Sequence, residues 1–161
     1  MSTYPTRFST DFVRSTLPRR LLVLVLAGCG PAWGEAPTPA GLWQTVSDRT
    51  GQPAGLVRVV EVDGEYLGTV VAVFSPPRPD PNPLCTLCEG DLKDKPVVGM
   101  TILRGVRRSG DTYSTGQILD PDEGQVYRCR IALLDKGRKL EVRGYIGIPL
   151  LGRSQTWVRK E

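Results

Sequence analysis

Every second residue is apolar through much of the C-terminal third of the chain, and this pattern restricts the fold more than any other feature. In segment 125–134 the apolar positions are Tyr127, Cys129, Ile131 and Leu133. Segment 139–145 alternates in the same way, and segment 154–159 carries Trp157. A strand with one buried and one solvated face has this two-residue period. The pattern predicts three consecutive antiparallel strands.

Upstream segments have the composition of short strands bounded by turns. They cover residues 41–46, 56–62, 66–73, 99–107 and 112–118. Asp63 and Gly64 between two of them form a strong hairpin signal. Eight strands at this spacing are typical of a sandwich or a closed barrel. We favour a single eight-stranded antiparallel up-and-down barrel, all-β, because closure removes the edge strands that promote aggregation.

A long proline-rich loop separates the third predicted strand from the fourth. It runs from Phe74 to Pro96, and its prolines are Pro76, Pro77, Pro79, Pro81, Pro83 and Pro96. Proline has no N–H to donate, so this composition prevents regular strand pairing. A loop of this length in a compact domain is expected to be a lid, a stapled excursion or a mobile flap.

Residues 1–36 resemble a bacterial secretory signal peptide and its cleavage region. Arg19 and Arg20 precede the apolar run 21–28, which is far shorter than the ~20 residues of a membrane-spanning helix. Residues 32–34 fit ordinary cleavage, whereas residues 26–29 resemble a lipobox in which Cys29 would be lipidated and anchor the protein to a membrane. We therefore expect a periplasmic or envelope-associated protein whose mature domain covers residues 37–161.

The charge balance excludes nucleic acid as a partner. Four of the 21 basic and two of the 17 acidic residues lie in residues 1–36, so the predicted mature domain is nearly neutral with both signs interspersed. Nucleic-acid-binding domains instead carry a basic patch or stripe.

The chain contains no histidine, which excludes histidine-based acid–base catalysis, Ser-His-Asp triads and histidine-ligated metal. It also lacks the glycine-rich loops that bind phosphate groups. Asp120, Asp122 and Glu123 crowd one segment, but Pro121 between the first two is typical of a turn rather than a cation site. We therefore predict a non-enzymatic protein without cofactor or metal.

Three cysteines lie in the predicted mature domain. Cys85 and Cys88 form a CxxC motif in the long loop, and Cys129 lies on the apolar face of the sixth strand. A structural zinc site usually needs four ligands, and a thioredoxin-type pair needs a helix N-terminus. A disulfide formed in an oxidising compartment is favoured. Pairings Cys85–Cys88 and Cys88–Cys129 both remain open.

Aromatic and basic residues suggest how the barrel closes. Trp43 and Trp157 lie in the first and last strands, which are neighbours in a closed barrel, and Arg159 could stack on an indole there. The candidate ligand contacts are Tyr127, Arg104 and Arg143. An inward-pointing guanidinium could hold an anionic head group, although Arg143 alternates with apolar residues as on a solvated face.

Several motifs together resemble a known family. Gly41-Leu42-Trp43 in the first strand, with Trp157 and Arg159 at the end, is similar to the lipocalin or calycin arrangement. The CxxC loop together with KDKPVVGMTIL, ILDPDEGQVYRC and VRGYIGIPLLGRSQTW resembles an exported bacterial family catalogued as domain of unknown function 2147, over Gly41 to Arg159. The resemblance implies a lipocalin-like β-barrel in the cell envelope and implies no activity.

Three hypotheses about function follow. The first is a barrel that binds a small amphiphile or lipid fragment in its mouth, with the Phe74–Pro96 loop as a disulfide-pinned lid. The second is an envelope protein-interaction or structural module that uses the apolar connector 146–151. The third is a thiol–disulfide protein that uses Cys85 and Cys88.

Overall fold

The computed structural model describes residues 36–47, 50–74, 80 and 82–161. The predicted signal peptide and the candidate lipidation site Cys29 lie outside these residues. Within them, no helix is long and apolar enough to span a membrane.

Eight antiparallel strands form one closed sheet in chain order, and the last strand pairs with the first. The predicted eight-stranded up-and-down barrel is confirmed. The strands are β1 Gly41–Val46, β2 Pro53–Val62, β3 Glu65–Val73, β4 Thr101–Ser109, β5 Thr112–Asp120, β6 Gln125–Leu134, β7 Lys139–Tyr145 and β8 Arg153–Arg159. Short 3-10 helices cover Gly90–Leu92, Asp135–Gly137 and Pro149–Leu151.

Side chains from all eight strands fill the interior of the barrel. The largest fully buried ones include Trp43, Trp157, Leu103 and Ile131. Alternation in the sequence therefore sorted the residues correctly into inner and outer faces. Gly116 lies where a Cβ would overlap the side chain of Val106, so a small residue is needed there for the opposing side chain to fill the barrel.

Because successive strands run in opposite directions, the connections between them lie alternately at the two ends of the barrel. We name one the closed end; it carries residues 36–40, the turns at 63–64, 110–111 and 135–138, and the last residues 160–161. The other is the loop end; among the described residues it carries 47, 50–52, 82–100, 121–124 and 146–152.

Candidate functional site

Arg159 links three parts of the closed end. Its guanidinium donates hydrogen bonds to the carbonyl oxygens of Thr38 (2.6 Å) and Ala40 (2.7 Å) and, through Nε, to that of Gly137 (2.6 Å). The same group lies 4.2 Å from the centre of the Trp43 ring, in cation–π geometry. Burial lowers the pKa of Arg159 from its ordinary value. The arrangement joins the segment before β1, the turn after β6 and the ring of Trp43.

The Gly-x-Trp motif follows from the same contact. A Cβ at Gly41 would overlap the guanidinium of Arg159, and the backbone there has φ +147°. Trp43 donates its indole N–H to the carbonyl oxygen of Pro39 at 2.8 Å. The sequence predicts that Arg159 stacks on one of two indoles; in the structure it stacks on Trp43, which is its cross-strand partner.

At the loop end, residues 82–100 form a compact excursion that we call the plug. Cys85 N–H donates to the carbonyl oxygen of Lys95 (2.8 Å) and Val97 N–H to that of Pro83 (2.9 Å), so the plug begins and ends as a hairpin. Cys85 and Cys88 form a disulfide inside it. Their exposed fractions are 0% and 2%, so the disulfide faces the barrel core rather than solvent.

The plug contacts the turn between β5 and β6. A Cβ at Gly124 would overlap the carbonyl oxygen of Leu87, and Cys85 Sγ lies 3.3 Å from the carbonyl oxygen of Pro121. Asp120 orders this turn by accepting hydrogen bonds from the N–H groups of Asp122 (2.9 Å) and Glu123 (3.3 Å). This agrees with the predicted turn. Burial is the main reason that the pKa of Asp120 is raised.

A cleft of about 120 Å³ remains open between the plug and the rim of the barrel. One wall comes from the ends of β1–β3, and the opposite wall comes from the plug and Pro121. Its apolar lining consists mainly of Ala54, Leu56, Val70, Ala72, Val73, Pro83, Leu84 and Val97. Thr45 and Asp122 add polar atoms. The cleft is therefore a mainly aliphatic slot at the mouth of a filled barrel.

The candidate ligand contacts do not line this cleft. Arg104 donates to the carbonyl oxygen of Thr101, and Arg143 donates to those of Pro149 and Leu150. Tyr127 donates its hydroxyl to a carboxylate oxygen of Glu123 at 2.6 Å. The three side chains lie on different parts of the barrel wall, and the structure does not bring them together.

Cys129 is a free, fully buried thiol on β6. Burial raises its pKa to about 12. Of the two pairings left open by the sequence, the structure contains Cys85–Cys88. Among the described residues, no group of three His, Cys, Asp or Glu side chains is placed to hold a metal ion.

The aliphatic residues of the cleft were not identified as functional candidates from the sequence. Ala54, Leu56, Ala72 and Val73 continue the apolar pattern of β2 and β3, and that pattern looks the same whether a residue packs in the core or faces a slot. A bulge between Leu56 and Val57 shifts the register there. The signal that could have drawn attention to them is their position beside a long loop.

Comparison with known proteins identifies the family. A family model described as "Uncharacterized protein conserved in bacteria (DUF2147)" matches residues 41–159. The chain belongs to this family. The match begins at the first residue of β1 and ends at the last residue of β8, so the DUF2147 region coincides with the barrel. The resemblance predicted from the sequence motifs is confirmed. No curated protein matches the chain.

A solved structure shares the fold. It is described as "Protein HP1028 from the human pathogen Helicobacter pylori belongs to the lipocalin family", and the match covers 78% of this chain and 84% of that chain. The TM-score is 0.67 and the sequence identity is 19%. At this identity the likeness establishes a lipocalin-like barrel and nothing about the ligand.

Proposed function

We propose that this DUF2147 protein is an exported, non-enzymatic barrel that binds the apolar end of a small amphiphile or lipid fragment at its loop end. The observation that carries the proposal is the aliphatic cleft between the plug and β2–β3. A lipocalin-like fold supports small-ligand binding as an analogy only. The absence of histidine from the chain also favours binding over catalysis.

The volume of the cleft limits what it can hold. Ligand pockets typically measure about 300–1,000 Å³, whereas this cleft measures about 120 Å³. The interior beyond it is filled by the side chains of the core. The bound part of a ligand is therefore a short alkyl segment, and its polar group stays at the surface near Thr45.

The position of the disulfide favours a structural role over thiol exchange. Exchange needs a thiolate to attack a disulfide sulfur directly. Cys85 and Cys88 are buried inside the plug, so an attacking thiol reaches them only after the plug opens. The disulfide then serves to hold the plug in place as one wall of the cleft.

Export is supported by the sequence of residues 1–36 and is consistent with a disulfide, which forms in oxidising compartments. We expect cleavage after Gly34, with lipidation of Cys29 as the alternative. Mass spectrometry of the intact protein from fractionated bacterial cells distinguishes the two, because a chain that begins at Glu35 and a chain that begins at a lipidated Cys29 differ in mass. Full-length protein found only in the cytosol would contradict export.

Binding is tested by filling the cleft. Ala72→Leu places a larger side chain in it, and we expect a dansyl-labelled fatty acid to bind at least about tenfold more weakly to this variant. Ala132→Leu is the matched control, because Ala132 is an alanine in β6 that does not line the cleft. Native mass spectrometry of freshly purified wild type should also show a bound amphiphile. Equal probe affinity for both variants, with nothing bound to the wild type, would refute the proposal.

A further inference from the structure

The connector between β7 and β8, residues 146–152, exposes an unusual amount of apolar surface. Its four large apolar side chains have exposed fractions of 72% for Ile146, 56% for Ile148, 80% for Leu150 and 77% for Leu151. Monomeric proteins rarely leave a contiguous apolar group this exposed without a binding role.

Arg143 holds this connector in shape. It donates hydrogen bonds from Nε to the carbonyl oxygen of Pro149 (2.7 Å) and from Nη2 to that of Leu150 (3.1 Å), and its Nη1 donates to Ser154 Oγ (2.9 Å). The apolar side chains therefore project from an ordered loop. Projection from an ordered backbone lowers the entropy lost when they insert into another phase.

The outer face of the adjacent strands is positively charged. Arg130 on β6 lies directly opposite Arg143 on β7, and Arg128 lies opposite Tyr145. Like charges placed opposite each other destabilise a sheet. In the described part of the chain, Arg128 and Arg130 form no ion pair, whereas Arg107 pairs with Glu65 near the closed end. Glu141, two cross-strand pairs further along, lies opposite Ala132 instead.

We infer that this face, formed by the connector and by Arg128, Arg130 and Arg143, docks on a lipid surface that carries anionic head groups. Apolar side chains beside a group of arginines are typical of segments that lie in the membrane interface. Lipid phosphates would neutralise Arg130 and Arg143. In the absence of lipid, the repulsion between these two side chains destabilises the sheet. Tyr145, which lies opposite Arg128, is a residue type enriched at the membrane–water boundary.

Charge complementarity and shape together select a lipid surface over a protein partner as the occupant. The apolar side chains project outward from a protruding loop, so they suit insertion into a fluid interface, whereas a protein would need a matching groove. The docking face and the cleft both lie at the loop end, but they involve different strands. The inference therefore does not depend on the proposed ligand site.

Vesicle sedimentation with the full chain tests the inference. All proteins carry Leu22→Asp and Leu24→Asp, so that the apolar run 21–28 does not itself bind vesicles. The parent protein is expected to bind phosphatidylglycerol–phosphatidylcholine vesicles at least about tenfold more strongly than pure phosphatidylcholine vesicles, because each arginine near an anionic surface adds to the attraction.

Two pairs of substitutions are compared with matched pairs at the closed end. Leu150→Ser with Leu151→Ser should weaken binding to anionic vesicles at least about tenfold, because apolar burial is lost. Arg128→Gln with Arg130→Gln should weaken it similarly and remove the preference for anionic lipid. The controls are Val60→Ser with Val62→Ser and Arg108→Gln with Lys139→Gln. They change exposed residues near the closed end and should leave binding unchanged.

Several results would overturn the inference. One is vesicle binding that is unaffected by either loop-end pair, which would leave the face to a protein partner. Another is a loss of vesicle binding in the closed-end control variants that equals the loss in the loop-end variants. A third is self-association of the parent protein that Leu150→Ser with Leu151→Ser abolishes. Circular dichroism and thermal unfolding of each variant show whether a loss of binding reflects unfolding instead.

Discussion

The closed end and the loop end of the barrel are sealed by different means. At the closed end, the side chain of Arg159 joins the segment before β1, the turn after β6 and the ring of Trp43. At the loop end, the plug is folded on a disulfide and rests on the β5–β6 turn. The first seal is a set of hydrogen bonds on one residue, whereas the second is a packed segment.

This difference is relevant to the proposed ligand site. At the closed end, the side chain of Arg159 bridges neighbouring segments directly through hydrogen bonds. A segment that packs across a wide opening leaves gaps where its outline does not match the rim. The cleft beside β2 and β3 is such a gap. Under the proposed function, the ligand therefore binds at the end opposite the hydrogen bonds of Arg159.

The largest effect is expected from breaking the closed end. Arg159→Ala removes four hydrogen bonds from a charged donor and the stacking on Trp43. We expect the free energy of unfolding to fall by about 3 kcal/mol and the midpoint of thermal unfolding to fall by about 10 °C. Arg159→Lys is the control; it keeps the charge but loses the fork geometry, so it should recover only part of the loss. If the free energy of unfolding of Arg159→Ala falls by less than about 1 kcal/mol, the contacts of Arg159 do not stabilise the closed end.

An intermediate effect is expected from displacing the plug. Gly124→Ala introduces a Cβ that overlaps the carbonyl oxygen of Leu87, at a residue with φ +69°. We expect the free energy of unfolding to fall by about 2 kcal/mol, partly from the positive φ and partly from the overlap. Hydrogen exchange at the amides of Cys85 and Val97 should become faster, because the plug detaches.

The matched control for the plug is Gly110→Ala at the closed end. Gly110 has φ +62° and nothing within 4 Å of a Cβ. It should therefore show only the conformational cost, about 1 kcal/mol, and no faster exchange in the plug. If both variants lose the same stability and plug exchange does not change, Leu87 does not rest on Gly124.

The smallest effect concerns pH, and its sign should differ between the ends. Burial raises the pKa of Asp120 at the loop end, so its contribution to stability is present below the unfolded pKa and is lost as pH rises through the folded pKa. The hydrogen bond from Arg138 lowers the pKa of Asp135 at the closed end. That contribution is present above the unfolded pKa and is lost as pH falls through the folded pKa.

Urea unfolding at a series of pH values checks this difference. Compared with Asp120→Asn, which keeps an acceptor for the turn N–H groups, wild type should lose stability as pH rises through the carboxyl range. Compared with Asp135→Asn, wild type should lose stability as pH falls through that range. If the difference in free energy of unfolding between wild type and variant changes with pH in the same direction for both, the pKa values of Asp120 and Asp135 are not shifted in opposite directions.

Much of the fold could be predicted from the sequence because its information is local. The two-residue period around Ile131 and the Asp63–Gly64 turn depend on neighbours along the chain, and the structure agrees with both. Strand ends were less exact: β2 begins at Pro53 rather than at residue 56. Strand ends depend on pairing with a distant segment, which composition does not record.

The candidate site could not be predicted to the same degree. Arg143 was a candidate ligand contact from its residue type, but tertiary structure uses it to hold the β7–β8 connector. Ala72 had no distinguishing feature, yet it lines the cleft. Whether a side chain meets a ligand, a carbonyl oxygen or another strand depends on which distant backbone arrives beside it.

By itself, the sequence determined the number and order of the strands and membership of the family, and it favoured a closed barrel over a sandwich. These follow from alternation, turn residues and motifs, which are properties of short segments. Tertiary structure alone decided that Cys85 pairs with Cys88, that Arg159 stacks on Trp43 and that a cleft remains beside the plug. Each of these depends on packing between segments far apart in the chain, where tenths of an ångström separate a filled space from an open one.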